Sequence, residues 1–459
     1  MKKTDEEIRI LSLNGLLGYG FPAESLKEGM KRHPHFMGVD AGSSDPGPYY
    51  LGSGKSLTKR LQVRRDLSLA IEASVEAGIP LVIGSVGTSG GEPHLRFAEE
   101  IIKEIAKERG LSFRLALIHA EIEKKVVKKA LKENRIKPLG ETVPHLTPDI
   151  VDNTVRIVGQ MGVDPFIKAL KGKPDIILAG RACDTAVFAA YPIMNGYDPG
   201  LSYHLAKILE CGALAGIPAS ASDCMCGSIT RDYFEVEPAN PSRRCTKISV
   251  AAHSLYEQAS PFGFYEPEGY VDLSGSAFEQ KNGRRVRVSG SRFKTCDGLQ
   301  TVKLEGVVKR GYHTISIGGI RSRDVIENLD NMEKYVSEKT RDMLPADIVE
   351  EGYMLNFRFY GRDAVLGSVE PLKGEPIHEA GILIEGIAQT QEKADTVCAL
   401  ARSLALHFGF EGRKSTAGNI AFPFSPSDFS GGAIYEFKVY HLMEVENAGE
   451  FFPVEFREI

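Results

Sequence analysis

The stretch PDIILAGRACDT, residues Pro174–Thr185, decides the fold class that this sequence predicts. It joins a short apolar run, Ile176–Ala179, to a glycine and then to a polar segment that opens a helix. In an open parallel sheet, such a junction lies at the carboxyl end of a strand, where ligands usually bind. The stretch therefore predicts a strand, a ligand-facing turn and a helix whose start Asp184 or Thr185 can cap.

The same pattern of apolar strand, polar or glycine-rich loop and helix recurs through the first half of the chain. The predicted strands are 8–13, 36–39, 80–83, 113–118 and 176–179. The predicted helices are 23–31, 58–77, 92–109, 119–134, 147–172 and 201–215. This alternation predicts an α/β domain with a doubly wound, mostly parallel sheet over residues 1–222.

The pattern changes after residue 222. Strand-like segments dominate the next part: YFEVEP, KISVAA, YVDLSG, RRVRVSG, TVKLEGVV and HTISIGG. Asn282-Gly283 and Asp297-Gly298 are hairpin signals. Helical periodicity at 322–339 is followed by strands at 353–360 and 381–387, a helix at 390–408 and a strand at 434–445. We expect an antiparallel β-rich region over 223–345 and a small α+β sandwich over 346–459.

Composition limits the class of protein. The chain has 459 residues, of which 42% are apolar, so it can bury large cores. A net charge of −5 does not suit nucleic-acid binding, which usually needs a basic stripe. There is no apolar run of the ~20 residues that cross a bilayer, and the amino terminus does not resemble a secretory signal. We therefore expect a cytoplasmic protein without membrane or nucleic-acid partners, whose seven scattered cysteines are reduced.

Two glycine-rich stretches invite comparison with nucleotide-binding motifs. Gly15, Gly18 and Gly20 have the spacing G-x-x-G-x-G, which reverses the dinucleotide fingerprint. The stretch GSGKS ends like a Walker A motif, but Tyr49 stands where the first glycine is required. The sequence therefore carries neither an NAD nor an ATP fingerprint.

Three loops, 40–56, 84–94 and 180–185, should converge at the carboxyl edge of the first sheet. We assign catalytic roles to Asp40, Asp45 and Asp184, because paired carboxylates can donate and accept protons. The alternative is that each aspartate caps a turn or helix. The predicted substrate-binding residues, which offer a guanidinium fork, hydroxyls or backbone N–H groups, are Arg181, Ser43, Ser44, Gly87, Thr88, Ser89 and Gly90.

An anion should bind where the Gly84–Gly91 loop meets the helix that starts near Glu92, because a helix N-terminus favours negative charge. His94, in the first turn of that helix, either acts on the substrate or is a solvated cap. Asp40, Asp45 and Asp184 are also oxygen ligands that suit Mg²⁺. We assign no residue to a metal site, however, and the cofactor stays unknown.

The cysteines give weak signals. Cys183 would have a lowered pKa at a helix N-terminus, but the next histidine along the chain that could act as a base is His204. Cys224 and Cys226 form a C-x-C pair without a second pair nearby to complete a tetrahedral metal site. The sequence does not assign a role to these three cysteines.

Five stretches resemble one family along nearly the whole chain. They are GVDAGSSDPGPYYLGSG (38–54), AGRACDTA (179–186), FYGRDAVLGSVEP (359–371), HEAGILIEGIAQTQEKA (378–394) and TAGNIAFPFSPSDFSGGAIYEFKVYHLME (416–444). The chain resembles the acyclic terpene utilisation (AtuA-like) family. The resemblance implies breakdown of branched terpenes through acyl-CoA intermediates, and frequent pairing with a small partner protein. It implies no catalytic residues.

The leading hypothesis is an enzyme that acts on a small carboxylic acid or its acyl-CoA thioester, with a hydratase or lyase that adds or removes water as the favoured class of reaction. Carboxylate-rich loops can supply the base, the acid and the oxyanion stabiliser that this chemistry needs. The alternative is a non-catalytic subunit that binds nucleotide or acyl-CoA and activates a partner enzyme. We expect a homo-oligomer, with the small partner protein as a further component.

Overall fold

The structure, a computed structural model, describes residues 7–296 and 298–459. Its strands, in chain order, are β1 (Ile8–Ser12), β2 (Phe36–Asp40), β3 (Leu81–Gly84), β4 (Arg114–Ile118), β5 (Ile136–Pro138), β6 (Thr154–Gln160), β7 (Ile176–Ala179), β8 (Gly216–Ile217), β9 (Met225–Ile229), β10 (Tyr233–Pro238), β11 (Arg244–Cys245), β12 (Gly263–Glu266), β13 (Gly269–Asp272), β14 (Ala277–Gln280), β15 (Val286–Ser289), β16 (Arg292–Thr295), β17 (Gln300–Ile320), β18 (Met354–Tyr360), β19 (Ala380–Ala388), β20 (Asp428–Val445) and β21 (Val454–Glu458).

The α-helices lie between these strands. In chain order they are α1 (Ala23–Met30), α2 (Tyr49–Ser53), α3 (Arg60–Ala77), α4 (Glu92–Arg109), α5 (Lys124–Lys132), α6 (Pro148–Asn153), α7 (Val163–Lys171), α8 (Ala186–Met194), α9 (Pro199–Leu209), α10 (Lys247–His253), α11 (Arg323–Ile326), α12 (Leu329–Met343), α13 (Ala346–Glu351) and α14 (Gln391–Leu406). In the part of the chain that the structure describes, no helix combines the length and apolar character that a bilayer crossing requires.

The chain divides into two compact units. Unit 1 comprises Met1–Val308 and Phe437–Ile459, and unit 2 is Lys309–Glu436. Strands β17 and β20 each contribute one part to unit 1 and another to unit 2. The predicted three-part division at residues 222 and 345 stays a prediction.

Unit 1 is built on a mixed sheet with the order β14-β15-β10-β9-β1-β2-β3-β7-β4-β21. The five central strands, β1-β2-β3-β7-β4, are parallel, and β9, β10, β14, β15 and β21 join antiparallel. The protein is therefore mixed α/β with a parallel centre, as the alternating pattern predicts. Because β2, β3 and β7 are neighbours, their carboxyl ends lie side by side.

Helices cover both faces of this sheet. Along β7, Ile177 and Ala179 pack into the core on one face, which α7, α8 and α9 cover. Ile176 and Leu178 point to the other face, which α3 and α4 cover. Side chains of a strand alternate between faces, and a strand buried on both reads as a continuous apolar run. The run IILA in β7 therefore needs helices on both sides.

Smaller antiparallel sheets complete unit 1. The strands β12, β13 and β16 form a three-stranded sheet, and β8 pairs with β11. Strand β6 pairs with the first part of β17 between residues 303 and 308. The hairpin predicted at Asn282-Gly283 is confirmed, since β14 pairs with β15. The hairpin signal at Asp297-Gly298 includes a residue outside the described part of the chain.

Unit 2 combines an antiparallel sheet with helices. Strand β19 lies between β18 and the second part of β17. Alternate strand residues, among them Phe359, Ile382 and Ile384, form a core with apolar residues of α12 and α14. The strands and the long helix predicted in this part of the sequence are present.

Two predicted elements are wrong. The helix over 147–172 is divided into α6, β6 and α7, because the run Thr154–Val158 is rich in β-branched residues, which favour an extended strand. The segment KISVAA, predicted as a strand, lies in α10. Thr246 Oγ1 accepts from the N–H of Ser249, and Ser249 Oγ accepts from the N–H of Thr246. This reciprocal capping box starts a helix where apolar alternation suggests a strand.

Candidate functional site

Three loops meet at the carboxyl ends of β2, β3 and β7. The N–H of Ala41 donates to the carbonyl of Gly84 at 2.8 Å, and the N–H of Thr88 donates back to the carbonyl of Ala41 at 3.0 Å. The N–H of Arg181 donates to the carbonyl of Gly90 at 3.1 Å. The predicted convergence of the loops is therefore confirmed, and backbone hydrogen bonds fix it.

Glycines permit this close approach. A Cβ at Gly90, where φ is +61°, would lie 2.0 Å from the nitrogen of Arg181. A Cβ at Gly42 would lie 2.2 Å from the carbonyl oxygen of Thr88. Thr88 itself has φ of 87°, a conformation that β-branched residues rarely adopt. Backbone strain of this kind persists where the surroundings enforce it and is common at functional sites.

Asp40 ends β2 and is buried, with 5% of the residue exposed. Its Oδ2 accepts from the N–H of Gly42 at 3.3 Å, whereas Oδ1 has no hydrogen-bond partner in the described structure. Burial and the negative charge of Asp184 hold the pKa of Asp40 well above its usual range. Asp40 therefore favours the protonated form more than an ordinary aspartate does.

Asp184 lies between β7 and α8 beside a second buried carboxyl. Thr185 occupies the N-cap position of α8, but no side-chain hydrogen bond caps this helix, and Asp184 Oδ1 is buried without a partner among the described residues. Glu210, directly after α9, is 2% exposed. Burial raises the pKa of Glu210, and a side-chain hydrogen bond with Asp184 raises it further.

A tight hairpin between β12 and β13 adds two further carboxyls. Thr185 Oγ1 donates to Glu266 Oε1 at 2.7 Å, and burial raises the pKa of Glu266 to about 8. Glu268 accepts from Tyr203 Oη at 2.8 Å and from the N–H of Val163 at 2.9 Å, and burial raises its pKa to about 6.

We call Asp40, Asp184, Glu210 and Glu266 the carboxyl cluster. Lys207, buried in α9, forms an ion pair with Glu210.

Arg181 lies against a different carboxylate. Its Nε donates to Glu305 Oε2 at 2.9 Å and its Nη2 to Glu305 Oε1 at 3.4 Å. Lys303 Nζ lies 2.9 Å from Glu305 Oε1. Although Glu305 is buried, these two cations lower its pKa to about 2. We call Arg181, Lys303 and Glu305 the ion-pair cluster.

This geometry alters the interpretation of Arg181. The fork predicted to clamp a substrate acid group is occupied by Glu305, so the guanidinium is not open in the way that the sequence suggests. Its positive charge also acts on Asp40, whose pKa it lowers against the larger opposing effects of burial and Asp184. Direct contact between Arg181 and a substrate stays a prediction, and the geometry favours an indirect, electrostatic role.

The loop after β2 separates the remaining predicted residues. Ser44 Oγ lies 3.4 Å from Glu305 Oε1, so this hydroxyl belongs with the ion-pair cluster. Ser43 Oγ accepts from the N–H of Asp45, which is exposed. The structure therefore brings Asp40 and Asp184 together and leaves Asp45 outside the carboxyl cluster.

Protein groups already occupy the start of α4, where the sequence predicts an anion. The N–H of Gly91 donates to His94 Nδ1 at 3.1 Å, and the N–H of Glu92 donates to Glu121 Oε1 at 2.8 Å. In the preceding loop, the N–H groups of Thr88 and Gly90 donate to protein carbonyls. An anion at this helix end would have to displace a carboxylate, so the predicted arrangement is wrong. Substrate binding by Gly87, Thr88, Ser89 and Gly90 stays a prediction.

His94 is not the solvated cap that the sequence offered, and its action on a substrate stays a prediction. His94 caps α4 but is fully buried, and burial lowers its pKa to about 4. Burial and the charges of Glu266 and Glu268 hold the pKa of Cys183 well above its ordinary value. The expected lowering by a helix N-terminus is therefore wrong. His204 lies between the hydroxyls of Ser254 and Ser291.

No metal centre is evident among the described residues, in which no group of three or more His, Cys, Asp or Glu side chains has metal-binding geometry. Cys224 lies directly before β9 and Cys226 lies within it, and both cysteines are buried in the core.

The sequence did not identify Lys207, Glu210, Glu266, Glu268 and Glu305 as site residues. They come from a helix, a hairpin and a strand that are distant in sequence from the three loops. Glu266 and Glu268 stand in the segment EPEG, where the close pair of glutamates around a proline is a signal, although a solvated turn explains it equally well.

The chain was compared with models of known protein families, with curated proteins and with solved structures. The family model described as acyclic terpene utilisation family protein AtuA matches residues 62–215 and 236–421. No curated protein and no solved structure matches the chain.

Proposed function

Since this chain belongs to the acyclic terpene utilisation family AtuA, we propose that unit 1 is an enzyme that adds or removes water on a small carboxylic acid or its acyl-CoA thioester. The family description supports a role in the breakdown of terpenes, whose carbon skeletons are branched. Water addition and removal are steps by which such skeletons can be functionalised for cleavage.

The observation that carries the proposal is the carboxyl cluster. Asp40 and Asp184 each have a buried oxygen without a partner, and Glu210 is hydrogen-bonded to Asp184. Lys207 is the cation in direct contact with this group, through Glu210. Because the negative charges exceed the positive charges around them, the cluster must retain protons near neutral pH. Retained protons on some carboxyls and open acceptor oxygens on others are what general acid and base catalysis requires.

The two aspartates then have different roles. Asp184, as the base, removes a proton from the carbon next to the acyl carbonyl. Asp40, as the acid, gives its proton to the leaving hydroxyl as the carbon–oxygen bond breaks, so that water departs. In the hydration direction each proton moves the opposite way.

The alternative, a non-catalytic subunit that binds nucleotide or acyl-CoA at this edge of the sheet and activates a partner enzyme, has less support. Phosphate groups would meet the carboxyl cluster, and the N–H groups at the start of α4 are occupied. Buried carboxyls suit proton transfer better than phosphate binding.

The test is turnover of a panel of straight and methyl-branched 3-hydroxyacyl and 2-enoyl thioesters in D₂O. Loss or gain of the conjugated double bond is followed by absorbance, and deuterium at the carbon next to the carbonyl by NMR. We expect the wild type to turn over at least one member of the panel. Asp184→Asn should lower kcat by about 10²–10⁴-fold, the usual contribution of a general base, with little change in binding.

Asp232→Asn is the matched control, because Asp232 is exposed in a turn of unit 1. It should retain wild-type turnover. A wild type that neither turns over nor labels any member of the panel would disprove the hydratase or lyase assignment. Full turnover by Asp184→Asn would remove Asp184 from the mechanism.

A further inference from the structure

Six large apolar side chains are exposed within one short stretch of unit 2. They are Met354, Tyr360, Val365, Leu366, Val369 and Leu372, and between 48% and 82% of each residue is exposed. We call them the 354–372 patch. Exposed apolar groups that lie close together mark binding surfaces in soluble proteins, and four of these six lie within the eight residues from 365 to 372.

Strand β18, which carries the first two residues of this patch, is also the edge strand of the sheet in unit 2. It pairs with β19 on one side, and no strand of the described structure pairs with its other side. Its sequence MLNFRFY spans seven residues, with one charge, Arg358, and no proline. Natural proteins usually protect a free edge by shortness, proline, charges or a bulge. This edge has little protection and is suited to pairing with another strand.

We infer that β18 pairs antiparallel with β18 of a second copy of this chain, across a two-fold axis at Phe357. This register places Met354 opposite Tyr360 of the partner subunit, and Leu355 opposite Phe359 of the partner subunit. Each apolar pair occurs twice, because a two-fold interface is self-complementary. The exposed residues at 365–372 follow β18 directly in the chain and extend the apolar surface.

Arg358 supplies a charge that fits this register. It is exposed, and no ion pair or hydrogen bond holds its side chain within the described residues. In the two-fold register it faces Asn356 of the partner subunit, and in each copy Asn356 Nδ2 donates to Glu385 at 3.1 Å. Each guanidinium therefore approaches a carboxylate of the other copy, and the two arginines do not face each other.

A cysteine at the two-fold axis tests the register. Phe357→Cys lies opposite its own copy, where paired Cα atoms are about 4.5–5.5 Å apart, within the range of a disulfide. The variant is made together with Cys296→Ser, because Cys296 is an exposed native thiol. Mild oxidation should give a disulfide-linked dimer. Met354→Cys in the same background is the control, since its two copies would be roughly 20 Å apart and should not link.

Sedimentation equilibrium tests the interface without a cysteine. The wild type should be a dimer, and Val365→Asp combined with Val369→Asp should raise the dissociation constant by at least tenfold. Leu61→Asp changes an equally exposed leucine, 81% exposed on α3 in unit 1, and should leave the constant unchanged. A monomeric wild type, a dimer unaffected by the double variant, or equal linking at residues 354 and 357 would overturn the inference. None of these outcomes depends on enzymatic activity.

Discussion

The carboxyl cluster and the ion-pair cluster are both buried in unit 1, yet their carboxyls have opposite properties. Glu305, in the ion-pair cluster, has its pKa lowered to about 2 because Arg181 and Lys303 lie against it. Asp40, in the carboxyl cluster, has its pKa raised because burial is reinforced by Asp184. Burial raises the pKa in both places, so the sign of each shift depends on the neighbouring charges.

This difference distinguishes a carboxylate that contributes to the stability of the fold from carboxyls that suit proton transfer. A buried carboxylate with two cations is a fixed structural charge, and removing it leaves those cations without a partner. A buried carboxyl with too few cations costs free energy when it ionises, and it is retained where proton transfer requires it. Arg181 illustrates the contrast, because the residue that the sequence presents as a substrate clamp is held by Glu305.

The largest expected effect comes from breaking the ion-pair cluster. Glu305→Gln leaves the buried Arg181 and the partly buried Lys303 without a carboxylate, so the free energy of unfolding should fall by about 3–5 kcal/mol. Urea unfolding at neutral pH measures the loss. Glu279→Gln is the control, since Glu279 forms an exposed ion pair with Lys281 and its loss should cost under about 1 kcal/mol. Similar losses in the two variants would contradict the distinction between the clusters.

The second effect is a pH dependence that belongs to Glu266. Its pKa is 4.5 in the unfolded reference and about 8 in the folded protein, so the folded state holds the proton more tightly. The stability that this proton contributes is highest below about pH 4.5 and is lost as the pH rises through about 8. Between pH 6 and pH 8 the wild type should lose about 2 kcal/mol more than Glu266→Gln.

Urea unfolding of the wild type and of Glu266→Gln at several pH values provides this measurement. Glu235→Gln is a matched control, because Glu235 is also largely buried but has Arg285 and Arg287 against it. A parallel pH dependence in the wild type and Glu266→Gln would show that Glu266 is ionised throughout the range.

The third effect should be a gain in stability. Asp40→Asn removes a carboxyl that is costly to ionise, because burial and Asp184 raise its pKa, so the free energy of unfolding at neutral pH should rise. Asp184→Asn relieves the same repulsion, so the double variant should gain less than the sum of the single variants. Thermal and urea unfolding of all three variants complete the cycle. Additive gains would mean that the two aspartates do not interact.

The smallest effect is expected at Ser44. Its hydroxyl is 3.4 Å from Glu305, which is long for a hydrogen bond between oxygens. Ser44→Ala should therefore change the unfolding free energy by no more than about 0.5 kcal/mol. A loss above about 1 kcal/mol would place Ser44 among the residues that hold the ion-pair cluster together.

The parallel centre of unit 1 was predictable because the local sequence of each strand is enough to identify it as a strand. The run IILA, which forms β7 and precedes Gly180, has no polar side chain. It must therefore be covered on both faces, and the loop after it must reach the sheet edge. The same reasoning selected Asp40, which ends β2, and Asp184, in the loop after β7, but it also selected Asp45, which lies outside the carboxyl cluster. The strand predicted for the KISVAA segment was wrong, because the hydroxyls of two residues cap a helix there and outweigh the apolar alternation.

The sequence by itself determined which strand ends meet and that Asp40 and Asp184 lie near them, because parallel strands with short loops have their carboxyl ends at one edge. Only the tertiary structure decided the charge state of the site. Glu210, Glu266 and Glu305 reach it from a helix, a hairpin and a strand that local sequence does not connect to the loops. A pKa depends on burial and on charges a few ångströms away, and those distances exist only once the chain is folded.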